Sequence, residues 1–426
     1  MSSPSGTNSG GIGPSENLSR RSGGGRRGPM MTAAGVGVVI VVAIIAVVAG
    51  WAVGYYTAPS SSNNKNAVTI TETGSSLLYP LMASYWAPNY TKLAGTPIAL
   101  STASTGSGTG QSYAEAGLVD IGASDAYLSN ASATNLVNIP VAISSQLVFY
   151  NLPGVTAHLN INGTVLGMIY NGNITNWNDP MIQAANPGVA LPNAAIVPLA
   201  RSDGSGDTFL ITSYMYMAWA GWATHGYSTA KLSGTLNSKI QYANGNAGLV
   251  TLAAGTPNSI TYIGNSYRAA SIAKGLVAAA LGNSNANTAA GGVNPNNYLL
   301  WSSANVSQDA NLALTRLNYA SYGLALSLIM GGSPYGPTTL HAGGGGTAPT
   351  AAYPSPYPDV NLEYTLIKAT GSAQGPSHQY YVVQFLYWAL GVGNQPVYLS
   401  PLGFLPLTSN VVALTYQTLQ TVQVSS

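Results

Sequence analysis

The stretch Ala195–Phe209, AIVPLARSDGSGDTF, carries the pattern on which the fold interpretation rests. Its first six residues are mostly apolar, which is typical of a buried strand, and an apolar helical segment follows from Phe209 to Trp222. Between the two, a turn of glycines and serines places Arg201 beside Asp203 and Asp207. Flanking carboxylates hold a guanidinium in a fixed orientation, and small residues leave backbone N–H groups open. The stretch therefore predicts a strand, a turn suited to an oxyanion, and a helix.

The same order of strand, small-residue loop and helix recurs earlier in the chain. The strands that we predict there are AVTIT from Ala67, TPIALSTAS from Thr96 and VDIGASD from Val119. Strands that alternate with helices favour an α/β fold with largely parallel sheets. In such sheets ligands bind at the carboxyl ends of the strands, and helix N-termini are natural anion sites. The four loops are therefore candidates for one anion site, although serine and glycine are also ordinary cap and turn residues.

Length and composition exclude several classes of protein. At 426 residues the chain is long enough for two domains. Its net charge is +2, but four arginines lie in the first thirty residues and the remainder is close to neutral, so nucleic acid is not an expected partner. With no cysteine there are no disulfides or thiolate metal sites. The histidines lack metal-type spacing and carboxylates are few, so neither a metal nor another cofactor is expected.

The N-terminal region predicts a membrane attachment. Residues 1–29 are rich in Gly, Ser and Arg and are expected to form a disordered cytoplasmic tail. Residues 30–56 are an uncharged run long enough to cross a bilayer as one helix, and residues 57–67 form a polar linker. The preceding arginines place the bulk of the chain on the extracellular side. The alternative is a cleaved signal peptide, whose apolar core would be shorter.

Two side chains suggest which anion would bind. Arg201 offers a planar fork of donors that fits a tetrahedral oxyanion, unless it forms only a surface ion pair with Asp203 or Asp207. Asp125 follows the VDIGAS strand, and its alternative role is a helix N-cap. A carboxylate in an anion site selects a ligand that carries a proton, because a buried acceptor that faces a fully ionised ligand is left unsatisfied. Phosphate carries such a proton and sulfate does not.

At these positions the sequence resembles the phosphate-binding proteins of phosphate ABC transporters. The resemblance rests on six motifs: TGSSLLYP (Thr73–Pro80), GSGTG (Gly106–Gly110), VDIGASDAYLS (Val119–Ser129), YNGNITNWND (Tyr170–Asp179), RSDGSGDTF (Arg201–Phe209) and FLYWAL (Phe385–Leu390). It implies a two-lobed periplasmic-binding-protein-like fold of type II that closes over the anion. By position it implies the phosphate contacts Ser76, Leu77, Ser107, Asp125, Arg201, Asp203, Ser205, Gly206 and Asp207.

The roles that the resemblance implies differ among these residues. Leu77 and Gly206 would act through backbone N–H groups, and Asp203 would orient Arg201. Asp207 departs from the family, which often has threonine there, so we expect its N–H to donate while its side chain turns toward Arg201 or the helix cap. Leu77 stands where proteins of the family frequently have an aromatic residue, which matters little if only its backbone N–H contacts the anion.

The resemblance also implies a function and partners. We expect a membrane-anchored extracellular protein, a monomer, that captures inorganic phosphate and delivers it to an ABC permease without catalysis. We expect one lobe over residues 68–145 and 352–426 and the other over 146–351, with a surface insertion at about 282–351. Two alternatives from other classes stay open: a phosphatase-like hydrolase, since an oxyanion cradle suits phosphoryl transfer, and a surface scaffold protein that binds no anion.

Overall fold

The computed structural model describes residues 68–93, 98–128, 131–226, 230–282, 294–307, 357–371 and 376–424. All of the described residues belong to one compact unit, Asn64–Ser426. The predicted tail (1–29), membrane anchor (30–56), linker (57–67) and most of the predicted insertion lie outside the described residues. Within the described residues, no helix combines the length and apolar character that a membrane span requires.

Strands and helices alternate through much of the chain. The strands are β1 Val68–Gly74, β2 Ile98–Ser104, β3 Ile121–Ser124, β4 Leu136–Asn151, β5 Asn160–Ile161, β6 Val197–Arg201, β7 Gln241–Ala243, β8 Ser259–Gly264, β9 Val277–Ala278, β10 Ala280–Gly282, β11 Tyr298–Leu299 and β12 Val360–Lys368. The helices are α1 Tyr79–Leu81, α2 Ala87–Leu93, α3 Ser107–Ala116, α4 Gly163–Tyr170, α5 Pro180–Ala185, α6 Gly206–Ala218, α7 Gly245–Gly255, α8 Arg268–Ala273, α9 Pro376–Leu390, α10 Pro396–Leu399 and α11 Ser409–Thr421. A π-helical turn, Met82–Trp86, joins α1 to α2.

One nine-stranded sheet runs through the described residues, in the order β2-β1-β3-β12-β4-β8-β6-β7, with β9 beside β4. The long strand β4 divides it into two halves. Its residues 136–145 pair with β12, and its residues 146–151 pair with β8. We call β2, β1, β3, β12 and residues 136–145 the first half, and residues 146–151, β8, β6 and β7 the second half. This is the two-lobed α/β architecture that the sequence predicts.

The sheet is mixed and not largely parallel, so that part of the prediction is wrong. β1 is parallel to β2 and β3, and β6 is parallel to β7 and β8. β12 is antiparallel to β3 and β4, and β4 is antiparallel to β8. The reason is topological. β4 carries the chain from the first half into the second, and β12 returns the chain beside β4 in the opposite direction, so these two strands pair antiparallel.

Buried aromatic side chains pack on both halves of the sheet. In the first half Trp86 and Trp388 both lie against Phe385, with ring centroids 6.2 Å apart in each pair. In the second half Tyr150 packs on Trp177 at 5.7 Å. Burial of such large side chains stabilises the packing of the segments that carry them against the sheet.

Candidate anion-binding site

The strand-end loops of the two halves meet. The loops after β1, β2 and β3 share one edge of the first half, because the carboxyl ends of parallel strands lie together. The loop between β6 and α6 approaches them from the second half. Gly108 N donates to Gly204 O at 2.9 Å, which joins the start of α3 to the Arg201 turn. The predicted site residues of both halves therefore lie side by side.

Glycines permit this close approach. At Gly106, whose φ is +92°, a Cβ atom would lie 2.3 Å from the Asp203 carboxyl. At Gly206 a Cβ would lie 2.5 Å from the Cβ of Asp125. Both distances are shorter than any ordinary contact, so side chains at these two positions would push the halves apart.

Arg201 is buried between two carboxyl groups. Its Nε donates to Asp203 Oδ1 at 2.8 Å, its Nη2 contacts Asp203 Oδ2, and its Nη1 contacts Asp207 Oδ2. Only 1% of the side chain is exposed, so this is not the surface ion pair that was the alternative. Burial alone would lower the pKa of Arg201. The contacts with Asp207 and Asp203 outweigh burial and raise the pKa above its ordinary value. The guanidinium is a permanent cation in a fixed orientation.

The two carboxyls that flank Arg201 have different environments. Burial favours a higher pKa for Asp203, but the hydrogen bond and charge of Arg201 outweigh it and lower the pKa below its ordinary value. For Asp207, burial and then the charge of Asp125 raise the pKa to about 7. Together these two effects outweigh the charge of Arg201, which lowers the pKa. The Asp207 carboxyl also accepts from Gln146 Nε2 and Asn246 Nδ2, both at 2.7 Å. Its side chain turns toward Arg201, as the sequence predicts.

Asp125 is the acceptor at the centre of the first-half loops. The hydroxyl of Ser75 donates to its Oδ1, and Ser107 Oγ donates to its Oδ2 at 3.2 Å. Asp125 N in turn donates to Ser107 Oγ at 3.2 Å, and the side chain is 1% exposed. Gly206 lies against it, so the carboxylate faces the N-terminus of α6.

The remaining predicted residues join the same cluster. Ser76 Oγ accepts from Asn246 N at 3.1 Å and Asn246 Nδ2 at 2.9 Å, which is a second link between the halves. The Leu77 side chain packs against Gly264, and Leu77 O accepts from Ser266 Oγ at 2.7 Å. Ser205 caps α6, since its Oγ accepts from Thr208 N at 3.3 Å. The structure thus brings all nine predicted site residues together.

Sequence reasoning missed several members of the cluster. These are Ser75, Gln146, Asn246, Asn361 and Glu363. Asn246 had a detectable signal: QYANGNAGLV repeats the pattern of strand, small polar loop and apolar helix. Among the described residues, no group of three His, Asp or Glu side chains is arranged to hold a metal ion.

This fold and this cluster of strand-end loops define a class of binding protein. The model of the family described as PBP superfamily domain matches residues 59–312, which is more than half of the chain. The chain belongs to this family.

Two curated relatives are both named phosphate-binding protein PstS. The one from Xylella fastidiosa (strain 9a5c) is 33% identical over 222 residues, 49% of this chain and 60% of that protein. The one from Pasteurella multocida (strain Pm70) is 40% identical over 159 residues, 37% of this chain and 45% of that protein. The matched part of the chain thus spans 45% to 60% of the length of these relatives. They confirm the resemblance that the motifs indicate.

Solved structures share the fold. A periplasmic phosphate-binding protein called PfluDING, bound with phosphate, has a TM-score of 0.59 at 19% identity, covering 82% of this chain and 93% of that one. The phosphate binding protein of Stenotrophomonas maltophilia has a TM-score of 0.54 at 18% identity, covering 82% and 92%. At this identity the likeness establishes the two-lobed architecture.

Proposed function

We propose that this chain is a membrane-anchored, extracellular solute-binding protein that captures inorganic phosphate and delivers it to an ABC permease. The observation that carries the proposal is the meeting of Arg201 and Asp125 in one buried cluster, linked through Gly206 and Asp207. A planar cation binds the charge of an oxyanion, and a pure acceptor beside it requires a ligand with a proton. Phosphate meets both requirements, and the names of the relatives agree.

Each predicted residue then has a proposed role. Arg201 would bind the oxyanion and Asp203 would hold the guanidinium in place. Asp125 would accept the proton of the ligand. The helix starts and small residues would donate to its oxygens: Ser76, Ser107 and Ser205 by hydroxyl or N–H groups, and Leu77, Gly206 and Asp207 by N–H groups. No bond is made or broken in this scheme, so the protein is a receptor and not an enzyme, in line with relatives that are named as binding proteins.

Calorimetry of the chain from residue 57 onward tests this function. We expect saturable binding of phosphate, much weaker binding of sulfate and no hydrolysis of a chromogenic phosphate ester. Turnover of the ester would favour a hydrolase. Absence of binding to either anion would favour a surface scaffold.

We propose further that residues 68–145 and 352–426 form one lobe, that residues 146–351 form the other, and that the monomer closes when phosphate bridges them. The contacts Gly108–Gly204 and Ser76–Asn246 are links that closure would make. Solution scattering should show a more compact particle in saturating phosphate. Superimposable curves would contradict closure.

The anchor is proposed from residues 30–56, with the preceding arginines on the cytoplasmic side. A protease added to intact cells should release a fragment that begins within residues 57–67. A soluble form in untreated cultures, with its N-terminus inside residues 45–60, would favour a cleaved signal peptide instead.

A further inference from the structure

One face of β12 carries polar side chains into the interior. Asp359, just before the strand, and Asn361 and Glu363 within it alternate with apolar residues, so the three point to the same side. All three are 0% exposed. β12 pairs with β3 on one side and β4 on the other, so this face lies next to the end of β3, where Asp125 follows. Buried polar groups are destabilising unless they are hydrogen-bonded, so their partners indicate what the face does.

Asn361 joins this face to Asp125. Its Nδ2 donates to Asp125 O at 2.7 Å and to Glu363 Oε1 at 3.2 Å. Ser144 Oγ, on β4, donates to the same Glu363 oxygen. Two donors therefore fix one oxygen of the Glu363 carboxyl and set its direction.

The other oxygen of Glu363, Oε2, indicates the role of this residue. Oε2 is buried and receives no hydrogen bond from a donor among the described residues. The Glu363 carboxyl is instead in hydrogen-bonding contact with the carboxyl of Asp125. Two carboxyls in contact away from water do not both ionise, because like charges repel and the pair retains a proton. One of the two is a donor to the other.

The surroundings decide which carboxyl holds the proton. Asp125 accepts a hydroxyl on each of its oxygens, from Ser75 and Ser107, whereas both donors to Glu363 bond one oxygen and leave Oε2 to carry the proton. The titratable groups that act on Glu363 are Asp125, from the loop after β3, and Asp207, from α6, and both are carboxyls. Burial first, and then the charge of Asp125, raise the pKa of Glu363 well above its ordinary value. Asp359, on the same face, has a pKa raised well above its usual range by burial and by Asp207.

We propose that Glu363 is a specificity-determining positioning residue of the anion site, a neutral carboxylic acid whose O–H donates a hydrogen bond to the carboxyl of Asp125. The donated hydrogen bond fixes the direction of the Asp125 carboxyl, so that its remaining acceptor capacity is directed at the proton of the bound anion. Glu363 does not touch the ligand; it acts through Asp125. This inference rests on the proposed function, since it assigns a residue to the discrimination between protonated and fully ionised oxyanions.

The test compares two substitutions. Glu363→Gln keeps a donor, because the amide Nε2 can replace the acid O–H. Glu363→Met is similar in size but has no donor. We expect E363Q to keep the phosphate-to-sulfate affinity ratio within about twofold and E363M to lower it about tenfold, as loss of one hydrogen bond to a charged group does. The control is Glu72→Met on β1, equally buried but separated from β12 by β3, which should leave the ratio unchanged.

Infrared difference spectra of the wild type against E363Q give a readout that does not depend on the stability of E363M. At neutral pH the difference should contain the carbonyl band of a protonated carboxylic acid. A carboxylate band in its place would overturn the proposal, as would an unchanged anion ratio in E363M or an equal loss in E363Q. A wild type that binds neither anion would overturn the proposed function and the specificity role together, whereas binding with an unchanged E363M ratio overturns only the role of Glu363.

Discussion

The two halves of the sheet hold their buried carboxyls in different ways. In the second half Asp203 and Asp207 flank the guanidinium of Arg201. In the first half Asp125 faces a second carboxyl, that of Glu363. Around a guanidinium, carboxyls balance charge, whereas two carboxyls alone must share a proton. The comparison teaches that the candidate site is asymmetric: one half supplies fixed positive charge and the other supplies an acceptor that depends on protons.

The same contrast recurs within the second half. Asp203 and Asp207 contact one guanidinium, yet the pKa of Asp203 is lowered and that of Asp207 is raised to about 7. Asp203 keeps some exposure and accepts from Gly245 N at 3.1 Å, while Asp207 is fully buried near Asp125. Position, and not the shared partner, decides the charge state. Asp203 is therefore the carboxylate that balances the charge of Arg201, and Asp207 adds negative charge beside it only as pH rises through about 7.

Replacing the cation should have the largest effect on binding. Arg201→Lys retains the charge but loses the planar fork, so the hydrogen bonds that hold the oxyanion are lost. We expect phosphate and sulfate to weaken together by about a hundredfold, from loss of one or two charged hydrogen bonds. Calorimetric titration with each anion measures this. The control is Arg268→Lys, since Arg268 stacks on Trp301 at 4.9 Å and lies outside the cluster. A change confined to one anion would contradict the division of roles.

Replacing the acceptor of the first half should change selectivity more than affinity. Asp125→Asn keeps the shape but introduces a donor that can face a fully ionised anion. Phosphate should weaken modestly while sulfate gains, which reduces their affinity ratio by about tenfold to a hundredfold. Asp179→Asn, at a helix N-cap where Asp179 Oδ1 accepts from Met181 N at 2.9 Å, is the matched control. An unchanged ratio in D125N would leave Asp125 with a purely structural role.

Separating the two halves should have a smaller effect. Gly206→Ala would place a Cβ 2.5 Å from Asp125, so the loop must shift. We expect the free energy of unfolding to fall by about 1–3 kcal/mol. Phosphate affinity should fall about tenfold, as for one displaced hydrogen bond. Urea unfolding and calorimetry measure the two effects. Gly255→Ala, where a Cβ would meet nothing within 4 Å, should show neither loss. Equal behaviour of the two variants would mean that the halves do not need this close approach.

The sequence predicted the parts of this arrangement that depend on local pattern. β1, β2, β3 and β6 are apolar, β-branched runs followed by glycine and serine loops, and all nine predicted residues lie in these loops or at the strand and helix ends that border them. It did not predict Glu363 and Asn361. In VNLEYTLIK their alternation with apolar residues resembles a strand with one exposed face, yet both faces of β12 are buried. The β3 and β4 partners that bury β12 lie more than two hundred residues away, so no local signal could identify its polar face as part of the site.

Buried carboxyls in both halves should make the free energy of unfolding larger at acidic pH, but by different amounts. Burial raises the pKa of Glu72, in β1, from 4.5 to about 8, and that of Asp207 from 3.8 to about 7. Between the unfolded and folded values the folded protein holds protons that the unfolded chain has released, so acidification favours folding. The stabilisation is fully present below about pH 4 and is lost as pH rises through 7 and 8.

Each such group changes the free energy of unfolding by at most about 1.4 kcal/mol per pH unit across its window. Urea unfolding without ligand at pH 5, 6.5 and 8 should therefore show the protein most stable at pH 5. Glu72→Gln should remove more of this slope than Asp207→Asn, because Arg201 opposes the shift of Asp207 and also loses a partner in that variant. A protein that is less stable at pH 5 than at pH 8 would mean that these carboxyls are ionised in the folded state. The inference that buried carboxyls of both halves retain protons would then be wrong.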